Sequence, residues 1–468
     1  MRPLPTLAVL LSLALSATAA PKNIVLVVTD DHGCDAVGCY GNPAIKTPHL
    51  DRLAKEGTRF EHAFATTASC SASRSVLLTG LHNHLNRHYG HEHAYHHFSA
   101  DAKLAGLPVH LDKAGYRTVR IGKFHVAPED VFKFGATLPA NQRNPVAMAK
   151  QCEALFKEAS DKPFFLYFCT ADPHRGGGVA EDVAEKPDRF GNRAEGEYPG
   201  VTTVKYDPKD VVVPRYLPDT PACRAELAQY YQSVSRVDQG VGTLLDLLKA
   251  AGKLDETLVV FLSDHGAPFQ GAKTTTYEPG LRAPLLVRHP AATKRGVVNH
   301  ALVNWTDIAP TLLDFAGVDP KPLQLHGRSF LPILEEEKPA GWDETFASHT
   351  FHEVTMYYPM RVVRQRQYKL IWNIAAPLTY PSASDLWASA TWQDVYKKGP
   401  ETKYGPRTVR QYLHRPAFEL YDLAADPDEA KNLADDPKFK DKLDELKARL
   451  KAFQKQTGDP WISKWEYE

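Results

Sequence analysis

The sequence predicts an α/β protein: a doubly wound, mostly parallel sheet followed by a smaller C-terminal α+β domain. Three observations carry that prediction. Short apolar runs alternate with amphipathic helices through the first two-thirds of the 468 residues. Those runs lack polar alternation, as strands covered on both faces do, and their alternation with helices implies parallel crossover units. From about residue 343 the pattern changes to charge-rich strands, an aromatic stretch with prolines and one long charged helix.

In chain order, the first apolar run is 24–29, which ends at Asp30 and Asp31. A helix over 47–56 has Pro48 in its first turn and Gly57 past its end, residues suited to a helix start and stop. Strand 118–121 ends at Gly122 and Lys123, strand 164–169 leads into Asp172, Pro173 and His174, and strand 258–263 ends at Asp264 and His265. A long helix over 224–251 is stopped by Gly252, a short strand follows at 285–287, and a helix over 306–316 stops at Gly317. Residues 335–339, rich in glutamate and proline, mark a linker. Beyond it, 359–372 is expected to be a strand pair, with Arg361, Arg364, Arg366 and Lys369 at surface and strand positions. Residues 377–410 are irregular, 418–423 is a strand, and 436–456 is an amphipathic helix with a solvated charged face.

The ends and the composition bound the function. Arg2, the apolar run 7–15 and Ala17-Thr18-Ala19 have the layout of a signal peptide over 1–20. The division is then a main domain over 21–342 and a smaller domain over 343–468. No later apolar stretch is long enough to span a bilayer, so an exported, soluble protein is expected. Lys plus Arg and Asp plus Glu both number 56. That balance supplies no basic field for nucleic acid, and an anionic ligand must be met by a local positive site. Of the six cysteines, Cys34 and Cys39 share one loop and could pair, while Cys169 sits in an apolar run and is expected to be buried.

Four strands deliver chemically active residues at their carboxyl ends, where open α/β sheets bind ligands. They are Asp30 and Asp31, Lys123 and His125, His174, and Asp264 and His265. Three carboxylates on one sheet edge repel one another unless a cation sits among them, and oxygen-rich donors suit calcium or magnesium. One of Asp30 and Asp31 could instead be a cap or turn residue. A second signal is Cys70, read as the start of a helix. Backbone N–H groups there favour negative charge, and Arg74 falls four residues on, on the same side. By chemistry alone this suggests an activated cysteine nucleophile. Seven histidines between 82 and 97 lack the HExxH spacing and are expected to line a wet rim with one or two substrate contacts. Gly176-Gly177-Gly178 is expected to be a flexible turn.

Cys70-Ser71-Ala72-Ser73-Arg74, with Leu78-Thr79-Gly80 behind it, resembles the signature of the formylglycine-dependent sulfatases. The resemblance runs from about Asn23 to the C-terminus. It is strongest to the heparan N-sulfatase branch, through Gly122-Lys123-Phe124-His125, Asp172-Pro173-His174-Arg175, Tyr206-Asp207-Pro208, His352-Glu353-Val354-Thr355-Met356 and Tyr358-Pro359-Met360-Arg361.

The resemblance implies an alkaline phosphatase-like fold and a Cα-formylglycine made from Cys70 by a maturation enzyme. It implies a metal, Ca2+ or Mg2+, bound by Asp30, Asp31, Asp264, His265 and the modified Cys70. Arg74, Lys123 and Lys273 would surround the sulfuryl oxygens, and His125 and His174 would serve acid–base steps. His352, Glu353 and Arg361 would recognise the substrate. That substrate would be a sulfated glycosaminoglycan fragment carrying a terminal N-sulfated glucosamine, and the enzyme would be periplasmic, extracellular or lysosomal, with oligomers allowed. Three positions depart from the pattern: His265 stands for an amide, Lys273 for an arginine, and Ala72 for the commonest proline, which leaves the maturation system open. The alternatives are an O-sulfatase, a phosphoester or phosphonate hydrolase of the same fold, and a non-catalytic glycan-binding protein with an unmodified Cys70.

Overall fold

The structure, a computed structural model, describes residues 23–176 and 188–467. The expected signal peptide and Gly177 and Gly178 lie outside those residues. The main sheet has eight strands: β1 (Asn23–Thr29), β2 (Thr58–Phe64), β3 (Arg117–Gly122), β4 (Ala136–Leu138), β5 (Phe164–Cys169), β6 (Thr257–Ser263), β7 (Leu285–Arg288) and β8 (Val297–Asn304). Their order is β4-β3-β5-β1-β6-β7-β2-β8. Every neighbouring pair is parallel except those made by β7, which runs antiparallel to β6 and β2.

Both faces of this sheet are covered, as the unbroken apolar runs imply. Ile24, Leu26 and Val28 point into one layer, against Val76 and Leu77 of α2 (Cys70–Thr79) and Leu312 of a helix over Ile308–Phe315. Val25 and Val27 point into the other, against Leu50 and Leu53 of α1 (Pro48–Glu56) and Val237, Val241 and Leu244 of α3 (Pro221–Ala250). Each such fully buried side chain contributes about 1.5–3 kcal/mol. The long helix begins three residues before the expected start, because Thr220 accepts a hydrogen bond from the Cys223 N–H (3.2 Å) and Pro221 fits the first turn.

The smaller sheet is antiparallel, in the order β12-β11-β10-β9, from β9 (Glu344–His349), β10 (Met360–Gln365), β11 (Tyr368–Asn373) and β12 (Phe418–Asp422). Val363, Leu370 and Leu420 pack on Leu443, Leu446 and Leu450 of the C-terminal helix, Lys440–Thr457. Val362 and Ile371, on the other face, pack on Phe64, Tyr277 and Leu302 of the main domain. Arg361, Arg364 and Lys369 stand at strand positions, as expected, but are buried rather than at the surface. Arg364 and Lys369 are buried and pair with Glu278 of the main domain at 3.3 and 3.1 Å, and Lys369 also meets Glu429 at 2.8 Å. Charges that the alternation of a strand would place outside are here matched across the seam between the two sheets. Only Arg366 of this group is exposed, beside Asp343.

All six cysteines are free thiols, so Cys34 and Cys39 are not joined, and Cys169 is buried as expected. Among the described residues no helix is long and apolar enough to cross a membrane.

Candidate active site

Strand register assembles the site. β1 lies between β5 and β6, with Thr29 opposite Ser263 and Val28 opposite Cys169. Asp30 and Asp31 therefore leave the sheet beside Asp264 and His265, and Gly122, opposite Cys169 on the far side of β5, brings Lys123 to the same edge. Gly122 has φ +87, and a Cβ there would lie 1.9 Å from the Cys169 carbonyl oxygen, so only glycine allows this approach. The Lys123 N–H then donates to that oxygen at 2.9 Å.

Asp31 takes a left-handed backbone conformation (φ 62), uncommon for a non-glycine residue. It is held there by its N–H donating to Asp264 Oδ1 (3.0 Å) and by the Tyr230 hydroxyl donating to its carbonyl (2.9 Å). Cys70 is the first residue of α2, as the sequence implies, with Ser69 at the cap position. Its Sγ lies 3.3 Å from His265 Nε2 and 3.6 Å from Asp31 Oδ1. Ser73 and Trp305 tie this helix and the β8 end to the Asp264 carbonyl at 2.5 and 2.8 Å.

The donor set fits an oxygen-preferring divalent cation. Asp30, Asp31 and Asp264 are all buried, and Asp30 Oδ1 has no hydrogen-bond partner. His265 Nδ1 meets the Gly266 carbonyl at 3.0 Å, which assigns its proton to Nδ1. Nε2 then presents a lone pair 3.1 Å from Asp31 Oδ1. Lone pairs facing one another in a buried site call for a positive charge between them. Ligand atoms of Asp31, Cys70 and His265, and those of Asp30, Cys70 and Asp264, form two groups each within 4.8 Å.

Positive side chains surround these carboxylates. Lys123 Nζ is 2.5 Å from Asp30 Oδ2, and Lys273 Nζ is 2.9 Å from Asp31 Oδ2. Burial opposes ionisation of Asp30, but Lys123, His174 and Arg74 together hold its carboxyl well below the usual range. Asp264 is pushed up to about 6, by burial first and the adjacent Asp30 second. Burial also pushes the Cys70 thiol well above its usual value, with Lys123 and Lys273 opposing. The helix start does not make this thiol a thiolate, contrary to the simplest expectation for a reactive cysteine.

Above this floor opens a cavity of about 680 Å³, lined by Asp30, Lys123, His125, His174, Lys273, His352, Glu353 and Asp385 among others, a volume suited to a small ligand. Lys273 Nζ bridges His174 Nε2 (3.0 Å), Asp31 and Asp385 Oδ2 (2.8 Å). Burial, then Lys273, draws His174 down to about 4. Glu353 accepts from the Ser384 N–H (2.7 Å) and hydroxyl (2.6 Å), which joins the loop after β9 to the short helix that carries Asp385.

Two expected residues stand elsewhere. Arg74 is fully buried and does not line the cavity; its Nε pairs with Asp264 Oδ2 at 3.0 Å and its Nη1 donates to the Lys123 carbonyl at 3.2 Å. It acts from beneath, on the carboxylates. Arg361 is not brought to the cavity at all, since its guanidinium is buried against Asp459 (2.5 and 2.9 Å) under the Trp461 ring.

The histidine tract divides. His82 and His84 are buried against His326 and Phe453, away from any rim, whereas His91, His93 and His96 line the cavity. Asp385 is the residue that sequence patterns miss: it follows no strand and belongs to no motif, only to the irregular aromatic stretch.

Comparisons with known proteins agree with this geometry. Residues 22–318 match the sulfatase family model, and residues 269–385 match the model of the N-sulphoglucosamine sulphohydrolase C-terminal region. The second match spans Lys273, His352, Glu353 and Asp385. Human N-sulphoglucosamine sulphohydrolase is 41% identical over 98% of this chain and 95% of its own length. An N-acetylglucosamine-6-O-sulfatase of Bacteroides thetaiotaomicron is 27% identical, covering 96% of this chain and 90% of its own.

Among solved structures, one in complex with its substrate D-glucosamine-2-N,6-O-disulfate superposes with TM-score 0.68 at 24% identity, over 94% of this chain and 99% of that one. The phosphonate monoester hydrolase of Agrobacterium radiobacter superposes equally well, TM-score 0.68 at 19% identity, over 93% and 96%. Likeness at that level shows the fold alone. Fold, carboxylate cluster, helix-start cysteine and family match converge: this chain belongs to the sulfatase family.

Proposed function

We propose that this enzyme hydrolyses the N-sulfate of a terminal glucosamine in heparan sulfate or heparin fragments. The observation that carries the proposal is the 41% identity to human N-sulphoglucosamine sulphohydrolase across 98% of the chain, cavity-lining loops included. The reaction takes R–NH–SO3− and water to R–NH3+ and SO4 2−.

In this proposal Asp30, Asp31, Asp264 and His265 hold Ca2+ or Mg2+, which would polarise the sulfuryl oxygens. Converted to hydrated formylglycine by a maturation enzyme, position 70 supplies two hydroxyls on one carbon, one to attack sulfur and one to release sulfate when deprotonated. The chain's own groups do the rest. Lys123 and Lys273 offer Nζ donors to the sulfuryl oxygens. Arg74 fixes Asp264 and the Lys123 backbone. His174, with the Lys273 ammonium 3.0 Å from its Nε2 to replace the proton, passes a proton to the leaving nitrogen, and His125 takes the proton from position 70. His352 and Glu353 shape the sugar side of the cavity. The smaller domain, 343–468, thus contributes to the pocket of a main domain over 21–342, and export to a periplasmic, extracellular or lysosomal space accompanies the function.

Product analysis on N-sulfated and 6-O-sulfated glucosamine tests this directly. Free sulfate and a free amine from the N-sulfated sugar are expected. Release only from the 6-O-sulfated sugar would overturn the N-sulfate assignment, and release only from aryl phosphate or phosphonate would overturn the sulfatase mechanism.

A further inference from the structure

The histidine wall of the cavity has a chemistry that sulfate hydrolysis does not use in full. One ring nitrogen from each of His91, His93 and His125 lies within 4.8 Å of the other two. Ring centroids are 4.7 Å apart for His91 and His93, 4.7 Å for His93 and His125, and 5.0 Å for His91 and His125. We propose that these three imidazoles form a second metal site, for a zinc-class transition ion, and that its occupancy closes the substrate cavity.

Donor chemistry separates this site from the carboxylate cluster. Imidazole nitrogens suit zinc, copper, nickel and cobalt and are poor ligands for calcium. Three histidines with a fourth position open is an arrangement zinc accepts, with bonds of about 2.0–2.1 Å. Nitrogens held within 4.8 Å need to close by only a fraction of that spacing to share one ion.

His93 Nδ1 faces His125 Nε2 at 2.6 Å, so a shared ion would replace that ring-to-ring contact. His91 Nδ1 and His125 Nδ1 are buried and have no hydrogen-bond partner, an unusual state for buried polar atoms. Burial holds His91 and His125 well below their usual values and lowers His93, so all three are neutral near pH 7. His91 is buried, His125 is part-buried and His93 is exposed, so the ring of His93 can close over an ion entering from the cavity.

His91 is also braced from outside the cluster, by a second imidazole and a hydroxyl. His91 Nε2 lies 3.0 Å from His352 Nε2, and His352 Nδ1 lies 3.0 Å from the Ser69 hydroxyl at the start of the Cys70 helix. Ala94 and His125 take left-handed conformations (φ 53 and 58) on either side of the cluster, backbone strain of the sort that collects at functional sites. An ion held here would sit on the wall shared by His125, His91 and His93 and narrow the route past His125 to Lys123 and Asp30, all of which line the one cavity.

The test is a titration of the calcium-loaded full-length protein with Co2+, then Zn2+, followed by visible absorption. Wild type is expected to bind one Co2+ with nitrogen–oxygen ligand-field bands and no sulfur charge-transfer band, and Zn2+ should displace it. Losing even an outer partner of a metal typically costs about 10–100-fold in affinity, so His93→Ala should weaken Kd by at least that factor. His93 is exposed, so this variant retains its fold. Cys70→Ala should bind as wild type does. Unchanged affinity in His93→Ala, loss of the site in Cys70→Ala, or no stoichiometric binding by wild type would each overturn the site. Zn2+ should also inhibit hydrolysis by wild type more than by His93→Ala, each relative to its own zinc-free rate, and equal inhibition would overturn closure of the cavity.

Discussion

Replacing Asp459 by Asn should cost stability rather than substrate affinity. Asp459 is fully buried and takes Arg361 Nε at 2.5 Å and Nη2 at 2.9 Å, with further hydrogen bonds from Gln454 Nε2 (3.0 Å) and the Trp461 N–H (3.1 Å). Burial disfavours its charge, but Arg361 beside it holds the carboxyl down from 3.8 to about 2. Since the folded carboxyl is the stronger acid, the pair's stabilisation is complete above the unfolded value near 3.8 and is lost as pH falls towards about 2. That difference corresponds to ~2.5 kcal/mol at neutral pH. The variant also leaves Arg361 buried without its counter-charge, and breaking such pairs costs about 3–5 kcal/mol. Urea unfolding followed by tryptophan fluorescence should show Asp459→Asn less stable by ~2.5–5 kcal/mol at pH 7, with the gap narrowing as pH drops below about 4. KM should be unchanged at temperatures where both proteins are folded. Equal unfolding midpoints at pH 7, or a raised KM with intact stability, would refute the assignment and return Arg361 to the substrate.

Other expected outcomes follow from the same geometry. Asp385→Asn removes a carboxylate that lies 2.8 Å from Lys273 Nζ; kcat/KM should fall by about 10–100-fold, the ~1.5–3 kcal/mol of a hydrogen bond to a charged group, with little loss of fold, as steady-state kinetics beside a circular dichroism melt would show. Chelation of divalent ions should abolish turnover and lower the unfolding midpoint, because Asp30, Asp31 and Asp264 are left to repel one another; Ca2+ or Mg2+ should restore both, the stability by about 2.7 kcal/mol at a hundredfold excess over Kd. Gly122→Ala would set a Cβ 1.9 Å from the Cys169 carbonyl at a φ of +87; it should destabilise by at least ~3 kcal/mol and reduce activity in the fraction that folds, measured against Gly115→Ala, where no atom lies within 4 Å.

The strand ends were legible because their signal is local: an apolar run with no polar interruption, then acids or imidazoles at its carboxyl end. Asp30, Asp31, Lys123, His174, Asp264 and His265 all lie where that pattern places them. What sequence could not show depends on partners distant along the chain. Arg361 resembles a substrate residue by motif, yet Asp459, 98 residues later, takes its charge. Arg364 and Lys369 alternate like surface residues, yet Glu278 of the main domain buries them. Asp385 carries no local signal, because its place beside Lys273 is set by the packing of the smaller domain over the cavity. Arg74 was found by spacing, but spacing gives only its side of the helix, and the carboxylates beneath decide where its guanidinium ends.

Cys70 is the residue on which the proposed chemistry turns. Its thiol is buried, neutral and 3.6 Å from Asp31, a poor nucleophile as it stands, which is why the proposal needs its oxidation. The decisive measurement is the mass of the tryptic peptide 60–74 taken from protein that is turning over N-sulfated glucosamine. An aldehyde or its hydrate at position 70, rising in proportion to specific activity, is the predicted result. An intact thiol throughout a fully active sample would contradict it.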